Sequence, residues 1–434
     1  MEDPLERVTM AKVTRRIIPF LFVLYIFNYL DRLNVAAAAL TMRTDLKMSD
    51  EVYGFGFGIF FIGYVLFEVP SNLMLERFGA RRWIARIMIS WGIISASMMF
   101  VHGTTSFYTL RILLGIAEAG FFPGIVVYMT HWFPASIRAR AAARFMVAAT
   151  VSGIIGGPLA ASIMGLDGII GLKGWQWLFL LEGIPSIFLG FAALRYMTDR
   201  PADADWLEPE ERTWLIDRLA RETEYRKQRE NPTVLQALRH PKVMHLCSIF
   251  ILTQLCGYAL GAWSPQVLQA RSGWTKEQVL WIGALPGIVG AIAMLISAAH
   301  SDRTRDRRLH LAFGILINAS GVLLASLVRS PIVTLVAFAI MALGGGIANA
   351  PFWAVSTSFL TGAAAAGGIA TINSVGNLGG LIGPTIMGYL KQHTHGYESC
   401  LAILSGTLAV ASLLAFMIRH DVALEHGSDA VESG

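Results

Sequence analysis

The sequence predicts an all-α integral membrane protein with twelve transmembrane helices in two pseudo-symmetric six-helix bundles. Three observations carry that prediction. Of 434 residues 54% are apolar and only 15% are charged, against about a quarter charged in soluble domains. The charges are also clustered: residues 198–242 hold nine basic and ten acidic side chains, and 46 are left for the other 389 residues. Finally, two unrelated motifs recur at one offset. Glu76-Arg77 followed by Arg81-Arg82 returns 226 residues later as Asp302-Arg303 followed by Arg307-Arg308, and Gly157-Pro158 returns at the same offset as Gly383-Pro384.

Twelve apolar segments follow in order, at 17–39, 53–75, 83–102, 107–130, 144–165, 176–197, 243–267, 277–299, 309–328, 331–359, 365–391 and 398–418. Each suffices to cross about 30 Å of hydrocarbon at ~1.5 Å per residue. Helices close their own backbone hydrogen bonds there, and the alternating ten-residue pattern of a β-barrel is absent. The chain is polar up to Arg16 and then apolar to Ala39 with no cleavage site, so the first segment reads as a retained helix, not a signal peptide. Pro265 predicts a break in span seven. Glycine-rich runs at 153–157 and 376–383 predict close helix approach, and Pro158 and Pro384 predict kinks.

The expected organisation is an N-terminal bundle over 1–197, a cytoplasmic linker over 198–242, a C-terminal bundle over 243–420 and a structureless tail over 421–434. Within the linker, PEERTWLIDRLARETEYRKQRE (209–229) places Trp214, Leu215, Arg218 and Leu219 on one short amphipathic face, predicting a helix that bridges the halves. Cys247, Cys256 and Cys400 lie in or beside apolar runs and read as small buried residues. The H-x-H of His393 and His395 lacks further ligands for a metal.

Lys and Arg set the orientation. With a cytoplasmic N-terminus, the inner segments hold 25 basic residues and the outer loops 7. Both termini are then cytoplasmic, in a bacterial inner membrane. The net charge of +5 therefore reports topology, and no nucleic-acid partner is expected. A membrane enzyme or receptor would need a catalytic triad, a metal motif or a large extramembrane domain, and none is visible. A six-plus-six repeat instead suits a transporter with its substrate site between the halves. The acidic-then-basic turns, with Glu76, Arg77, Arg81, Asp302 and Arg303, read as cytoplasmic gating charges.

At these motifs the chain resembles the major facilitator superfamily. LERFGARR (75–82) looks like its signature loop, with Glu76 where Asp is usual. NYLDRLNVA (28–36), GIAEAGFFPG (115–124), GWQWLFLLEGIPS (174–186), DRPADADWL (199–207) and NSVGNLGGLIGP (373–384) narrow the resemblance to its anion:cation symporter family. That resemblance implies uptake of organic anions such as tartrate, phthalate or hexonates, usually with protons.

Ionisable groups inside a membrane are costly, and each is a functional hypothesis. They are Asp31, Arg32, Glu68, Arg111, Glu118 and Glu182. Adjacent Asp31 and Arg32 point about 100° apart on a helix and need separate partners. Arg111 and Glu118 share one helix face two turns apart, so the expected pairs are Asp31 with Arg111 and Arg32 with Glu118. Protonating Glu118 would free Arg32, whose planar fork suits a carboxylate. The resemblance implies the same roles: Arg32 binds substrate, and Asp31, Glu118 and Arg111 couple protons. A permanent structural salt-bridge cluster is the competing reading. Glu68 reads as a gate or a capped structural acid, and Glu182 as structural.

Tyr64, Tyr258, Trp353, Asn373 and Asn377 are the neutral substrate-binding candidates, with Tyr64, Asn373 and Asn377 favoured because family cavities use Tyr in span two and Asn in span eleven. Gln254, Trp263, Asn349 and Ser356 are further candidates. No cofactor is expected; the coupling ion is the proton, with sodium left open. The expected partners are a small carboxylate and the bilayer, and the expected state is a monomer. Exchange or efflux by the same fold remains the alternative.

Overall fold

The computed structural model describes residues 4–227, 241–304, 306–358 and 363–418. Every regular element among them is a helix. The first half holds α1 (Pro4–Asp45), α2 (Asp50–Phe78), α3 (Ala80–Ser97), α4 (Thr104–Glu118), α5 (Phe121–Thr130), α6 (Ala135–Met164) and α7 (Gly174–Tyr196). The linker helix α8 (Pro209–Lys227) precedes α9 (Pro241–Ser272), α10 (Lys276–Gly283), α11 (Leu285–Thr304), α12 (Arg307–Leu327), α13 (Pro331–Ser358), α14 (Ala363–Thr394) and α15 (Glu398–Phe416). Ten spans among the described residues are long and apolar enough to cross a membrane. Helices α1 and α14 complete the twelve, with α4–α5 and α10–α11 each forming one interrupted span.

The chain divides into two compact units, residues 1–48 with 59–229, and residues 49–58 with 230–434. The two repeat one packing plan. Span one packs on span five (α1 on α6), as span seven does on span eleven (α9 on α14). Span three packs on span six (α3 on α7), as span nine does on span twelve (α12 on α15). This is the sequence repeat expressed as helix pairing.

Small residues set how close those pairs come. A Cβ on Gly115 of α4 would overlap the Phe60 carbonyl oxygen of α2, and one on Gly63 would stand 2.6 Å from the Ile112 carbonyl oxygen. On α14 a Cβ at Gly379 would lie 2.7 Å from the backbone nitrogen of Leu255, so the 376–383 run does bring helices together. Gly153 differs, with nothing within 4 Å of its Cβ position.

The polar N-terminus is helical from Pro4, since α1 runs unbroken into the membrane span. One local expectation is corrected. Pro265 does not break α9. Neighbouring helices let membrane helices tolerate proline, and the Tyr53 hydroxyl reaches this stretch of α9, donating to the Ala262 carbonyl oxygen at 2.7 Å. Helices α6 and α14 contain Pro158 and Pro384 within their length. The actual interruptions fall at Ala119–Gly120 and Ala284.

Helix α8 forms as the amphipathic pattern predicts and docks within the first unit. Lys12 pairs with Glu211 at 2.7 Å, and Arg138 with Glu222 at 3.0 Å. Glu222 also accepts the Ala135 N–H at 2.9 Å, capping the start of α6. All three cysteines are buried. Residues 228–240 of the linker and the tail 421–434 lie outside the described residues.

Two expectations follow. Gly115→Ala should lower the stability of the purified protein by about 1–3 kcal/mol through overpacking, whereas Gly153→Ala should stay within about 0.5 kcal/mol; thermal unfolding in detergent checks both. Burial of the Glu211 carboxyl opposes its ionisation, but Lys12 and the Glu208 N–H outweigh that and hold it below the usual carboxylate range. Its contribution to docking α8 is thus full above the ordinary glutamate value of about 4.3. It is lost as pH falls through the lowered value, which amide protection of α8 measured against pH would register.

Candidate functional site

The first unit carries all the buried charge of the membrane interior found among the described residues: Asp31, Glu68, Arg111, Glu118 and Glu182, with Arg32 half-buried beside them. Helix α1 presents Asn28, Asp31 and Arg32. The α2–α4 crossing at Gly63 and Gly115 brings Phe60 and Tyr64 to the same level as Arg111 and Glu118.

Glu118 is the last residue of α4. The span then breaks: Ala119 is extended, and Gly120 turns back with φ 84°. Only glycine fits there, because L side chains avoid that φ and a Cβ would overlap Ser71 Oγ. The repeat-related span α13 is unbroken over Pro331–Ser358, so the break belongs to the first unit alone. Non-helical backbone inside a membrane is tolerated where it is enclosed by protein or lines a cavity.

The expected Arg32–Glu118 pair is present. Arg32 Nε donates to Glu118 Oε1 at 2.6 Å and Nη2 at 2.5 Å, and Asn28 Nδ2 donates to the same oxygen at 2.8 Å. Exposure differs sharply across the pair: the Glu118 side chain is 1% exposed and that of Arg32 22%. The carboxylate is enclosed, while the Arg32 side chain keeps partial exposure. The Arg32 guanidinium carbon lies 5.2 Å from the Tyr64 ring, 5.8 Å from Phe60 and 6.0 Å from Tyr29, a cage that favours a cation electrostatically.

The expected Asp31–Arg111 pair is not formed. Asp31 accepts instead from Trp91 Nε1, from Ser95 Oγ at 2.7 Å and from Asn34 Nδ2 at 3.4 Å. The physical reason lies in packing: α3 and α7 meet on backbone at Gly92 and Gly183, which seats Trp91 and Ser95 over the Asp31 face of α1. Arg111 is buried over the Phe60 ring, 4.9 Å from its centroid. Neutral donors thus meet the hydrogen-bonding need of Asp31.

The second unit supplies uncharged groups. Tyr258 Oη donates to Asn377 Oδ1 at 3.4 Å, joining α9 to α14. Trp353 is half-buried against the Phe250 ring at 5.2 Å, and Asn373 is half-buried one turn before Asn377. Trp263 is fully enclosed, packs on Tyr53 at 4.9 Å and donates to the Pro384 carbonyl oxygen at 3.3 Å; it is a packing residue. Ser356 bonds back to Phe352 of its own helix at 2.8 Å, and Asn349 is exposed.

The signature turn after α2 is organised by a residue that sequence reasoning missed. Asp199, past α7, accepts the Arg81 N–H at 2.7 Å and caps the start of α3. Gly79 (φ 86°) allows this, since a Cβ would lie 2.8 Å from Asp199 Oδ2. Arg81 is therefore engaged through its backbone, whereas Glu76, Arg77 and Arg303 are exposed. The side chain of Asp302 lies outside the described residues. Asn28, Trp91 and Ser95 were also missed; Asn28 sits in the quoted NYLDRLNVA run, and one helical turn of spacing from Arg32 was its only signal.

Residues 21–384 match the Major Facilitator Superfamily. The chain belongs to that superfamily. It is therefore a multi-pass membrane transporter and not an enzyme. It is 45% identical over 427 residues, 98% of each chain, to a protein of Agrobacterium vitis assigned by name to tartrate transport. It is 39% identical to a quinolone resistance transporter of Acinetobacter baumannii, covering 95% of both. Its fold superposes on a bacterial homologue of the human lysosomal transporter Spinster with a TM-score of 0.78, at 17% identity, over 93% of this chain and 96% of that one.

Trp91→Phe keeps the ring against Phe121, 5.2 Å away, and removes one donor to Asp31. It should cost about 1–3 kcal/mol of stability, the penalty for an under-satisfied buried acceptor. Thermal unfolding checks that figure.

Proposed function

We propose that the protein takes up a small organic carboxylate by proton-coupled symport, with Arg32 as the anion-binding cation and Glu118 as the proton carrier. The observation that carries this reading is the unequal exposure of one ion pair. The Glu118 side chain is 1% exposed and that of Arg32 is 22% exposed. With Glu118 ionised, Arg32 is already neutralised and a second carboxylate gains little. With Glu118 protonated, Arg32 holds an uncompensated charge in a low-dielectric site, which is strongly unfavourable until an anion arrives. Proton and anion therefore bind together.

The 45% identity to the tartrate-named relative supports a compact hydroxy acid as substrate. Tyr64 beside Arg32, and Tyr258, Trp353, Asn373 and Asn377 in the second unit, supply the hydroxyl, amide and ring groups that such an acid needs. Asp31 and Arg111 shape the field around the Arg32–Glu118 pair, and Glu76, Arg77, Arg81, Asp302 and Arg303 serve cytoplasmic gating. The 25-to-7 distribution of basic residues supports an inner-membrane orientation with both termini cytoplasmic. The protein works as a monomer without a cofactor. The relative named for quinolone resistance supports a second reading, export by the same machinery run as an exchanger.

Proteoliposomes with labelled tartrate decide between these readings. An inward proton gradient should drive accumulation of the label, and indifference to the gradient counts against symport. Arg32→Ala should weaken binding at least ~30-fold, as loss of one partner in a buried charge pair does. Glu118→Gln should keep exchange of internal for external substrate while losing gradient-driven accumulation.

A further inference from the structure

Asn28 is an enclosed amide of which the symport mechanism uses neither polar atom. It is 1% exposed on α1, one helical turn before Arg32, so the two side chains share a face. Its Nδ2 donates to Glu118 Oε1 at 2.8 Å, the oxygen that also meets Arg32 Nε at 2.6 Å and Nη2 at 2.5 Å. Its Oδ1 is buried without a hydrogen-bond partner. An orphan acceptor in a closed place is costly and calls for a reason. Among the described residues with such an atom, Asn28 is the one bonded to Glu118.

Protonating Glu118 changes what its carboxyl needs. The ionised form only accepts, whereas the acid carries an O–H that must donate. Arg32 cannot receive it, because a guanidinium offers donors only. The other charged and titratable groups around Glu118 are Asp31 on α1, Tyr64 and Glu68 on α2, and Arg111 two turns back on α4. Asp31 is engaged by Trp91, Ser95 and Asn34. An amide carries a donor and an acceptor on one planar group. The last torsion of an asparagine side chain is broad and roughly two-fold, so half a turn exchanges Nδ2 for Oδ1 without moving α1.

We propose that Asn28 is the positioning residue of the Arg32–Glu118 pair, donating through Nδ2 to the Glu118 carboxylate and accepting through Oδ1 from the Glu118 acid. Asn28 gains and loses no proton. It holds the acid in place while Arg32 turns to the substrate anion. The two bonds do not weigh equally. Without Asn28 the carboxylate keeps both N–H donors of Arg32, whereas the acid loses the acceptor of its O–H. Loss of the amide therefore disfavours protonated Glu118, and anion binding, which follows that proton, moves to lower pH. This rests on the reading of Glu118 as the proton carrier.

The test uses purified full-length protein, with tartrate as the probe. Asn28→Leu keeps the size of the side chain and removes both polar atoms. Above the pH midpoint of binding the variant should lose about tenfold in affinity, the worth of one hydrogen bond, with the midpoint about one pH unit lower. Below the midpoint its affinity should return to the wild-type value. An equal loss at every pH marks a mere brace between α1 and α4 and overturns the proposal, as does a midpoint that stays or rises. Infrared difference spectroscopy reads the bond itself. The acid carbonyl band that Glu118→Gln removes should shift to higher wavenumber in Asn28→Leu, as for an acid without an acceptor, and an unmoved band overturns the proposal. If Glu118→Gln removes no titrating band from the wild-type spectrum, the proton reading of Glu118 falls and this proposal with it; a titrating band that ignores Asn28 defeats this proposal alone. If Asn28→Leu does not fold, Asn28→Ala supplies the same infrared comparison.

Discussion

A charge inside a membrane must have an opposite charge or a full set of hydrogen-bond donors. The first unit is built around that requirement. Arg32 is answered by Glu118 at 2.5 Å and Asn28 steadies the shared oxygen. Asp31 is answered by Trp91, Ser95 and Asn34. The features that look like irregularities serve these partners. The break at Gly120 ends α4 at Glu118, and the glycines at 63 and 115 let α2 and α4 meet on backbone. A charge network with one member enclosed and one open responds to a visiting anion, whereas a fully sealed one only braces the fold.

The repeat makes the contrast between halves informative. Helix pairing is the same in both, one with five and three with six in the first, seven with eleven and nine with twelve in the second. The chemistry is not. Among the described residues, the buried polar groups along the second unit's spans are mainly hydroxyls and amides, the enclosed Arg271 side chain lying at the end of α9, and its counterpart to the broken span is continuous. Gene-like duplication of packing with divergence of polar content leaves one half to carry charge and the other to carry shape and neutral hydrogen bonding.

The fold was legible because hydropathy, charge clustering and the 226-residue offset all report the same constraint, the bilayer. Arg32 with Glu118 was legible for a related reason: an intramembrane charge must have a partner, and few were available. The choice of partner for Asp31 was not. Opposite charge pointed to Arg111, but the α3–α7 crossing delivered an indole and a hydroxyl first, and no spacing along the chain encodes which helix lies across from which. Pro265 misled because a membrane helix packed among neighbours can run through a proline, and spacing along the chain does not report those neighbours. The cap at Asp199 was hidden similarly, 118 residues from the turn it holds.

The central claim is that an anion and a proton are bound as one event at Arg32 and Glu118. Calorimetric titration of the wild-type protein with tartrate, repeated in buffers of different ionisation enthalpy, measures the protons exchanged with buffer on binding. The account predicts net proton uptake, close to one per anion. Binding heats that are the same in every buffer, meaning no proton moves when the anion binds, would contradict it.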